Sequence, residues 1–296
     1  MISICIPVYN YFVDNLLVAL SEQTSKIRVE SEILIIDDCS EQEIRLLNKN
    51  AALKVDARYI QLDHNIGRSA IRNLLCQESK FENLLFLDCD SYIESDVYIQ
   101  KYLEYLDKSM VVCGGRSYQS SKPDNKYLLH WKYGLERECR DAISRNQFPT
   151  RSLMTNNFLI SKSILQILPF NEHLKGYGHE DTLLGIQFFL SGIEVHHIEN
   201  PLRHIGLEEN DVFLNKTQDG IRNLLTILTM EYNRDLLNDH VALVKAFSIL
   251  KKIKLHKLTG RLFFLFKPLL VKFITSKNPS LLAFDLYKLG FLCSIK

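Results

Sequence analysis

The amino-acid sequence predicts an α/β fold with a doubly wound, mostly parallel sheet, helices on both faces of that sheet, and a helical tail at the C-terminal end. Short apolar, β-rich runs alternate with segments of helical periodicity, which predicts the sheet. Four of these runs end in clusters of polar residues. The length of 296 residues, with 46% hydrophobic and 24% charged residues, allows a large buried core without disulfides.

The first four strands are predicted at residues 3–8, 32–36, 57–62 and 83–87, and the helices between them at residues 13–21, 41–52 and 69–79. This βαβαβαβ order is typical of a parallel sheet that is covered on both faces. In such a sheet, ligands bind beyond the carboxyl ends of the strands. The polar residues that follow these strands are therefore the first candidates for a site.

The later elements follow a less regular pattern. A strand is predicted at residues 111–115, an irregular segment follows it, and a strand at 157–160 leads into a helix at 162–167. A helix of apolar spacing covers residues 183–190, and a strand covers 194–198. From about residue 217 the pattern is helical.

The net charge of +1 conceals a division of charge along the chain. Residues 240–296 hold eleven of the 36 Lys and Arg residues and one of the 35 Asp and Glu residues, so they carry +10 and the remainder carries −9. Basic and large apolar residues alternate between residues 245 and 277, which indicates an anionic membrane surface as partner. The alternative is a solvated helix that packs its Phe and Leu residues on the rest of the protein. Nucleic acid is not expected as a partner, because the acidic remainder would repel its phosphates.

The cysteines and the apolar segments bear on the cellular compartment. Seven scattered cysteines without a CxxC pair predict a reduced, cytoplasmic protein. The apolar run at residues 2–8 lacks a basic leader and a cleavage site, so no secretion signal is expected. The most apolar late stretch, residues 262–274, is interrupted by Lys267, Pro268 and Lys272 and is shorter than the ~20 residues of a membrane-spanning helix.

Two carboxylates, Asp88 and Asp90, follow the apolar residues 84–87 at the end of the fourth strand. Such a pair repels itself without a cation. Mn²⁺ and Mg²⁺ bind carboxylate oxygen and bridge to the phosphates of a ligand, which removes that repulsion. The alternative is a solvated acidic loop, but a place at the carboxyl edge of the sheet beside three other polar loops favours a metal.

The second and third strands also end in residues that suit a nucleotide. Asp38 can accept hydrogen bonds from a base or a ribose. Alternatively, Ser40 caps the next helix, and the acids before it favour the positive end of that helix. Gly67, Arg68 and Arg72 open a helix, where backbone N–H groups and guanidinium groups suit a pyrophosphate, although Arg72 could be an ordinary exposed arginine.

Together, the four polar loops resemble those of the family 2 glycosyltransferases of the GT-A fold, the nucleotide-diphospho-sugar transferases. The matching segments are Pro7-Val-Tyr9-Asn10, Asp37-Asp38-Cys-Ser40, Asn65-Ile-Gly67 with Ala70-Ile-Arg72-Asn73, and Asp88-Cys-Asp90. The resemblance is strong over residues 1–115 and continues to about residue 215, and the tail lies outside it.

The resemblance implies a binding site for a UDP-sugar donor and one Mn²⁺ or Mg²⁺ ion. The residues that it assigns to the donor are Pro7, Tyr9, Asn10, Asp38, Asn65, Gly67, Arg68, Arg72 and Asp88. It places the uracil at Tyr9 and Asp38, the ribose at Asp88 and the metal at Asp90. His204 lies where several relatives have a histidine that contacts the metal or the diphosphate; the alternative for His204 is a structural role.

Residues 176–181, Gly-Tyr-Gly-His-Glu-Asp, resemble the acceptor-side motif of the same family. The resemblance implies that Asp181 takes the proton of the acceptor hydroxyl and that Glu180 helps to hold the acceptor, with Tyr177 beside them. Single displacement would then invert the anomer. Alternatively, both acids cap the following helix and stabilise its dipole. Asn157 is also expected at the acceptor, with a turn as the alternative.

The sequence therefore predicts a metal-dependent, inverting glycosyltransferase that moves a sugar from a UDP-sugar to a hydroxyl of a glycan or lipid-linked acceptor in surface polysaccharide synthesis. It would be peripheral on the inner face of the cell membrane. The expected parts are a nucleotide-sugar-binding subdomain (1–115), an acceptor-binding and catalytic subdomain (116–239), and a basic amphipathic helical tail (240–296).

Two other functions compete with this prediction. An aspartate-dependent phosphohydrolase would use Asp88 as nucleophile and Asp90 as acid and base, since a hydrophobic strand that ends in DxD is shared by that class. A catalytically inactive, membrane-bound scaffold is the second alternative, and the basic tail suggests it. Hydride transfer is disfavoured because no GxGxxG follows the first strand.

Overall fold

The computed structural model describes residues 1–230 and 234–295. The chain divides into two compact units. The sheet unit comprises Met1–Gln119, Cys139–His173 and Gln187–Gly206. The helical unit comprises Ser120–Glu138, Leu174–Ile186 and the chain from Leu207 onward.

The strands of the described residues all lie in the sheet unit. Their bounds are β1 Ile2–Val8, β2 Ser31–Asp37, β3 Arg58–Gln61, β4 Asn83–Leu87, β5 Ser91–Tyr92, β6 Met110–Cys113, β7 Arg116–Ser117, β8 Asn157–Ser161, β9 Glu194–His197 and β10 Leu202–His204. The large sheet has the order β3-β2-β1-β4-β8-β6-β9, and the small sheet has the order β5-β10-β7. Strand β8 runs antiparallel to β4 and β6, and the other pairs of the large sheet are parallel.

Helices connect the strands and form most of the helical unit. Their bounds are α1 Asp14–Thr24, α2 Gln42–Lys54, α3 Arg68–Glu78, α4 Tyr98–Leu103, α5 Leu128–Tyr133, α6 Ala142–Asn146, α7 Lys162–Ile167, α8 Glu180–Leu190, α9 Asn210–Thr229, α10 Arg234–His240, α11 Ala242–Lys252, α12 His256–Ile274 and α13 Leu281–Ser294. Short 3₁₀ turns lie at Asn125–Tyr127 and Thr150–Ser152, and a π turn lies at Gly134–Glu138.

The core of the sheet unit explains why its central strands are apolar on both faces. Every residue of β4 is buried, as is every residue of β1 except Pro7. Side chains that alternate along a strand point to opposite faces, so a strand covered on both sides must be apolar at successive positions. Because β1 pairs parallel with β2 and with β4, the carboxyl ends of these strands, with the polar residues that follow them, lie at one edge of the sheet.

The predicted fold class, a mixed α/β fold with a mostly parallel sheet, is confirmed. Through residue 115, the predicted strands and helices begin and end within three residues of the observed ones. The segment that was expected to be irregular, between residues 115 and 157, contains β7, α5 and α6. These elements are too short to show a period, and β7 exists because it pairs with β10.

The helical unit has two apolar clusters. In the first, Leu183 of α8 packs with Leu224 and Ile227 of α9. In the second, Phe213 of α9 packs with side chains of α12 and α13, among them Phe263 and Phe284. The predicted helical tail therefore exists, but its helices begin with α9, seven residues before the expected position, and part of it is core.

Two expectations about the chain can be compared with these elements. All seven cysteines are free thiols. Among the described residues, no helix combines the length and the apolar character that crossing a membrane requires.

Candidate active site

Asp38 joins the loops that follow β2 and β3. Its carboxylate accepts hydrogen bonds from the backbone N–H groups of Ile66 (2.6 Å) and Gly67 (3.0 Å). The side chain of Asn65 donates to the Asp38 carbonyl oxygen at 3.1 Å. Burial raises the pKa of Asp38, and the two amide donors oppose that rise. These two N–H groups precede the first residue of α3, Arg68, so the expectation that the start of α3 binds a pyrophosphate stays a prediction.

Asn10 joins the loop after β1 to the start of α2. Its backbone N–H donates to Ser40 Oγ at 2.8 Å, and its side-chain oxygen accepts from the N–H of Glu41 at 2.7 Å. Glu41, not Ser40, is the N-cap residue of α2, and the Glu41 side chain makes no capping hydrogen bond. The alternative in which Ser40 caps the helix is therefore wrong: its hydroxyl binds the neighbouring loop instead.

Tyr9 and Pro7 differ in what they can offer a ligand. The Tyr9 side chain is 54% exposed beside the Asn10 turn, so one ring face can stack on a base. Pro7 lies within β1 opposite Ile36 and is half-buried. It lies two residues after Cys5, the last residue of β1 that pairs with β4. This position suits a residue without a backbone N–H.

Asp88 is held between two arginines. Its Oδ1 lies 2.7 Å from Arg72 Nη2, and its Oδ2 lies 3.4 Å from Arg116 Nη2. Arg72 is 2% exposed and also donates to the Arg68 carbonyl oxygen, so the alternative of an ordinary exposed arginine is wrong. Arg116 is not among the residues predicted from the sequence. It lies on the two-residue strand β7, where no periodic signal marks it.

Asp90 meets His204 because β5 and β10 pair. The register places His204 opposite Ser91, the residue after Asp90, and His204 Nδ1 lies 3.3 Å from Asp90 Oδ1. A methyl group on Gly206 would lie 2.5 Å from Asp90 Oδ2, so this close approach requires glycine. Burial would raise the pKa of Asp90, but His204, with Arg116 and Arg68 nearby, outweighs it and holds this pKa well below its usual range.

The surroundings of Asp90 fit a divalent cation in part. Asp90 Oδ1 is buried and accepts no hydrogen bond of good geometry within the described part of the chain. A carboxylate oxygen that faces an imidazole nitrogen offers two ligand atoms of the kinds that Mn²⁺ accepts. Within residues 1–230 and 234–295, no group of three or more His, Cys, Asp and Glu side chains could hold a metal. Any further ligands would come from a bound diphosphate or from water.

The acceptor-side motif forms a tight loop that ends in α8. Gly176, Gly178 and His179 have positive φ angles of 70°, 94° and 68°. The helix begins at Glu180, so both acids lie in its first turn, where negative charge stabilises the helix dipole. Asp181 Oδ1 accepts from the N–H of Thr182 at 2.7 Å. The position of the acids agrees with the structural alternative and leaves their catalytic role a prediction.

Helix α9 supports this loop through residues that the sequence analysis did not identify. Asn223, which is buried, donates from Nδ2 to the carbonyl oxygen of Gly178 at 3.0 Å and to that of Tyr177 at 3.4 Å. A methyl group on Gly178 would lie 3.1 Å from Gly220 Cα, so the loop and the helix approach closely. Lys216 lies over the Tyr177 ring, 5.2 Å from its centre.

Asn157 does not reach an acceptor, contrary to prediction. Its side chain is 0% exposed. Its Oδ1 accepts from the hydroxyls of Tyr98 and Tyr102, both at 2.7 Å. Its Nδ2 donates to the carbonyl oxygens of Gly115 and Asn200, both at 2.9 Å. Asn157 therefore ties β8 to its neighbours inside the core.

Asn73 fastens α3 to the segment that follows α7. It accepts from the N–H of Phe170 and donates to the carbonyl oxygen of the same residue, both at 2.9 Å, and it also donates to Glu172 at 2.8 Å. A cavity of about 630 Å³ lies beside these contacts. None of the residues predicted to bind the donor lines this cavity, so it is distinct from the edge that carries Asp88 and Asp90.

Known proteins share this fold and parts of this sequence. A chondroitin synthase of Pasteurella multocida (strain Pm70) is 30% identical over 225 residues, which are 64% of this chain and 23% of that protein. The crystal structure of S. aureus TarS 1-349 in complex with UDP has a TM-score of 0.54 at 18% identity and covers 97% of this chain and 89% of its own. The mannosyltransferase PcManGT from Pyrobaculum calidifontis, in complex with GDP-Man and Mn²⁺, has a TM-score of 0.58 at 11% identity, with 83% and 69% covered.

The chain spans about a quarter of the length of the curated chondroitin synthase that it matches. A family profile described as Glycosyl transferase family 2 matches residues 3–168, which are more than half of the chain. The matched segment contains the loops built around Asn10, Asp38, Asp88 and Asp90. The chain belongs to glycosyl transferase family 2.

Proposed function

We propose that the protein transfers a sugar, with inversion, from a UDP-sugar to a hydroxyl of a glycan or lipid-linked acceptor in surface polysaccharide synthesis, and that the reaction depends on Mn²⁺ or Mg²⁺. One observation carries the proposal: the edge of the sheet presents the half-buried Asp90 carboxylate opposite His204, beside the loops organised by Asp38. The complex of TarS, a structural neighbour, with UDP supports the donor class. The name of the related chondroitin synthase, which refers to a polysaccharide, supports the acceptor class.

The nucleotide would bind along the loops that follow β1 and β2. Tyr9 offers an exposed ring for stacking. Asp38 retains a lone pair on each carboxylate oxygen for a donor group of the base, because each oxygen accepts one hydrogen bond from a backbone N–H group. Arg72 and Arg116 fix the orientation of Asp88, which leaves that carboxylate a rigid acceptor for ribose hydroxyls.

Asp90 and His204 would hold the cation. When bound, the ion neutralises the diphosphate that leaves. His204 in its neutral form would bind through a ring nitrogen, and Arg68, at the start of α3, adds positive charge near Asp90. The Mn²⁺ complex of the Pyrobaculum mannosyltransferase supports this dependence.

Asp181 would act as the general base. A sugar hydroxyl is a weak nucleophile, so a carboxylate must accept its proton as the new bond to the anomeric carbon forms and the bond to the diphosphate breaks. Glu180 and Tyr177 would hold the acceptor beside it. We place the reaction on the inner face of the cell membrane, with the protein bound peripherally through its basic C-terminal helices.

Turnover of the donor tests this proposal without knowledge of the acceptor, because water can replace the acceptor hydroxyl. A panel of UDP-sugars, with GDP-mannose included, is incubated with the full chain, and the released nucleoside diphosphate is measured with Mn²⁺ or with EDTA. We expect release from a UDP-sugar with Mn²⁺ only. Asp90→Asn should lower it by at least about 100-fold and weaken Mn²⁺-dependent UDP binding, whereas the exposed control Asp96→Asn should change neither.

The variant Asp181→Asn distinguishes the role of the general base from that of the metal ligand. We expect it to lower donor turnover by about 10²–10⁴-fold while UDP and Mn²⁺ bind as before in calorimetry. The matched control is Asp211→Asn, an acid in the first turn of α9. Full turnover in Asp181→Asn would remove the base from the mechanism, and full Mn²⁺-dependent turnover in Asp90→Asn would remove the metal ligand.

A further inference from the structure

Helix α12 has three distinct sides. One side is buried in the core of the helical unit and contains Gly260, Phe263 and Ile274. A second side of the same helix is apolar and exposed. At 100° per residue, spacings of three, four and seven residues return to one side of a helix. The residues of this apolar face are Leu258, Leu262, Leu265, Phe266, Leu269 and Phe273, each 43–72% exposed.

The third side is basic. Lys257, Arg261 and Lys272 recur at spacings of four and eleven residues, between the apolar face and the side that holds Phe264. All three are exposed, and we call them the basic face. The chain from residue 245 to residue 277 contains no Asp or Glu, so no acid on this segment offsets these charges.

Exposed apolar residues continue into the turn before α12. Ile253 and Leu255 are 55% and 45% exposed. Lys251, Lys252 and Lys254 are exposed in the same stretch. Isolated exposed apolar residues are ordinary on a soluble protein, but a series of them on one helix face with a basic border marks an interaction surface.

We propose that the apolar face and the basic face of α12 together dock on an anionic lipid bilayer, with the helix lying in the plane of the membrane. This inference deepens the proposed function, on which it rests, by identifying the surface that meets the membrane. The apolar side chains enter the boundary between headgroups and acyl chains, and the basic side chains meet the anionic headgroups.

The distribution of charge selects this partner over a second copy of the chain. Two copies that joined through their apolar faces would each bring a basic border into the contact, and like charges there repel. A bilayer with anionic headgroups presents an apolar layer beneath a negative surface, which complements both faces at once. The buried side of α12, held by Phe263, fixes which residues remain outside.

Vesicle binding by the full chain tests the inference. Co-sedimentation is measured with phosphatidylcholine vesicles and with vesicles that also contain phosphatidylglycerol. We expect binding only to the anionic vesicles. The apolar variant Leu262→Ser, Leu265→Ser, Leu269→Ser and the basic variant Lys257→Glu, Arg261→Glu, Lys272→Glu should each bind at least about tenfold more weakly.

Matched controls change the same residue types elsewhere. Leu46→Ser, Leu53→Ser, Ile143→Ser alters three exposed apolar residues, and Lys26→Glu, Lys49→Glu, Lys80→Glu makes the same change of net charge. Both should bind like the unaltered chain. Donor turnover without vesicles should be unchanged in all four variants, so a failure of the membrane inference and a failure of the proposed transferase function remain distinguishable.

Three outcomes would overturn the inference. The first is full vesicle binding by either α12 variant. Full binding by the apolar variant would mean that charge alone holds the protein on the vesicle, and full binding by the basic variant would mean that the basic face makes no contribution. The second is binding to neutral vesicles that equals binding to anionic ones. The third is a dimer of the unaltered chain in solution that the apolar variant converts to a monomer, which would assign the face to a second copy.

Discussion

Asp88 and Asp90 are separated by one residue, yet their neighbours give them different chemistry. Two arginines occupy both oxygens of Asp88, whereas Asp90 faces His204 with an oxygen that accepts no well-formed hydrogen bond within the described residues. The family assignment favours a transferase over the phosphohydrolase alternative, in which Asp88 attacks phosphate.

The pair between Arg72 and Asp88 predicts a coupled effect on stability. Arg72→Met keeps most of the side-chain volume but leaves a largely buried carboxylate with one weaker partner. We expect the free energy of unfolding to fall by about 2–3 kcal/mol, less than for a fully isolated charge, because Arg116 still pairs with Asp88. Urea unfolding followed by circular dichroism measures this change.

The double variant Arg72→Met, Asp88→Asn is the control for that measurement. Once the carboxylate is neutral, loss of the arginine should cost less, so the two changes together should destabilise by less than the sum of the single changes. Strict additivity would mean that the 2.7 Å contact contributes nothing to stability.

At the scale of elements, the acceptor-side loop depends on a helix that is distant in the sequence. Gly176, Gly178 and His179 take left-handed backbone angles, which the two glycines adopt without strain. The loop is held by Asn223 and by close approach to Gly220, both on α9. Under the proposed mechanism, Asn223 is a positioning residue that acts through the loop on Asp181.

Asn223→Ala removes both hydrogen bonds to the loop. We expect donor turnover to fall by about tenfold while UDP and Mn²⁺ bind with unchanged affinity, because a small misplacement of a base slows proton transfer without altering the donor site. The free energy of unfolding should fall by about 1–2 kcal/mol. Thr226→Ala, elsewhere on α9, is the matched control, and equal losses of turnover in both variants would contradict a specific role for Asn223.

At the scale of the whole molecule, the division of charge and the division into units do not coincide. The basic segment begins near residue 240, but the helical unit extends from Leu207 and also includes Ser120–Glu138 and Leu174–Ile186. Phe263 and Phe284 of the basic segment pack in the same cluster as Phe213. The tail is thus both core and surface. The two interpretations of the sequence, a membrane-binding surface and a helix packed on the rest of the protein, each describe one side of it.

Truncation after residue 239 should therefore disrupt the helical unit. The truncated chain should not be a compact protein that merely lacks its membrane-binding surface. The deletion removes most of the side chains that pack with Phe213 and Ile221 in their cluster and exposes these two residues to water. We expect binding of a hydrophobic dye and rapid proteolysis of the helical unit. A truncated chain that melts at the same temperature as the full chain would show that α11–α13 contribute nothing to this core.

Local signals were sufficient to predict the sheet and the edge that carries the site. Strands β1, β2 and β4 are apolar because they are covered on both faces, and the polar residues after them stand out against those runs. Asp38, Asp88 and Asp90 could be identified for this reason. Arg116 and Asn223 could not, because each acts through a contact with a residue distant in the sequence.

Asn157 was predicted at the acceptor, but it lies in the core. An asparagine before a strand looks like a residue available to a ligand, but two tyrosines and two backbone carbonyls enclose it. Whether a polar side chain faces a ligand or satisfies its own core depends on what surrounds it, and no local pattern records that.

The sequence by itself determined the order of strands and helices as far as β4, the carboxylates at the edge of the sheet and the accumulation of positive charge after residue 240. Periodicity and composition are local properties, so these features can be predicted without coordinates. Only the tertiary structure decided which carboxylate is paired with arginine, which amides Asp38 engages, and which side of α12 faces water. Each of these depends on contacts between residues far apart in the chain, where packing and burial, not neighbouring residues, set the energy.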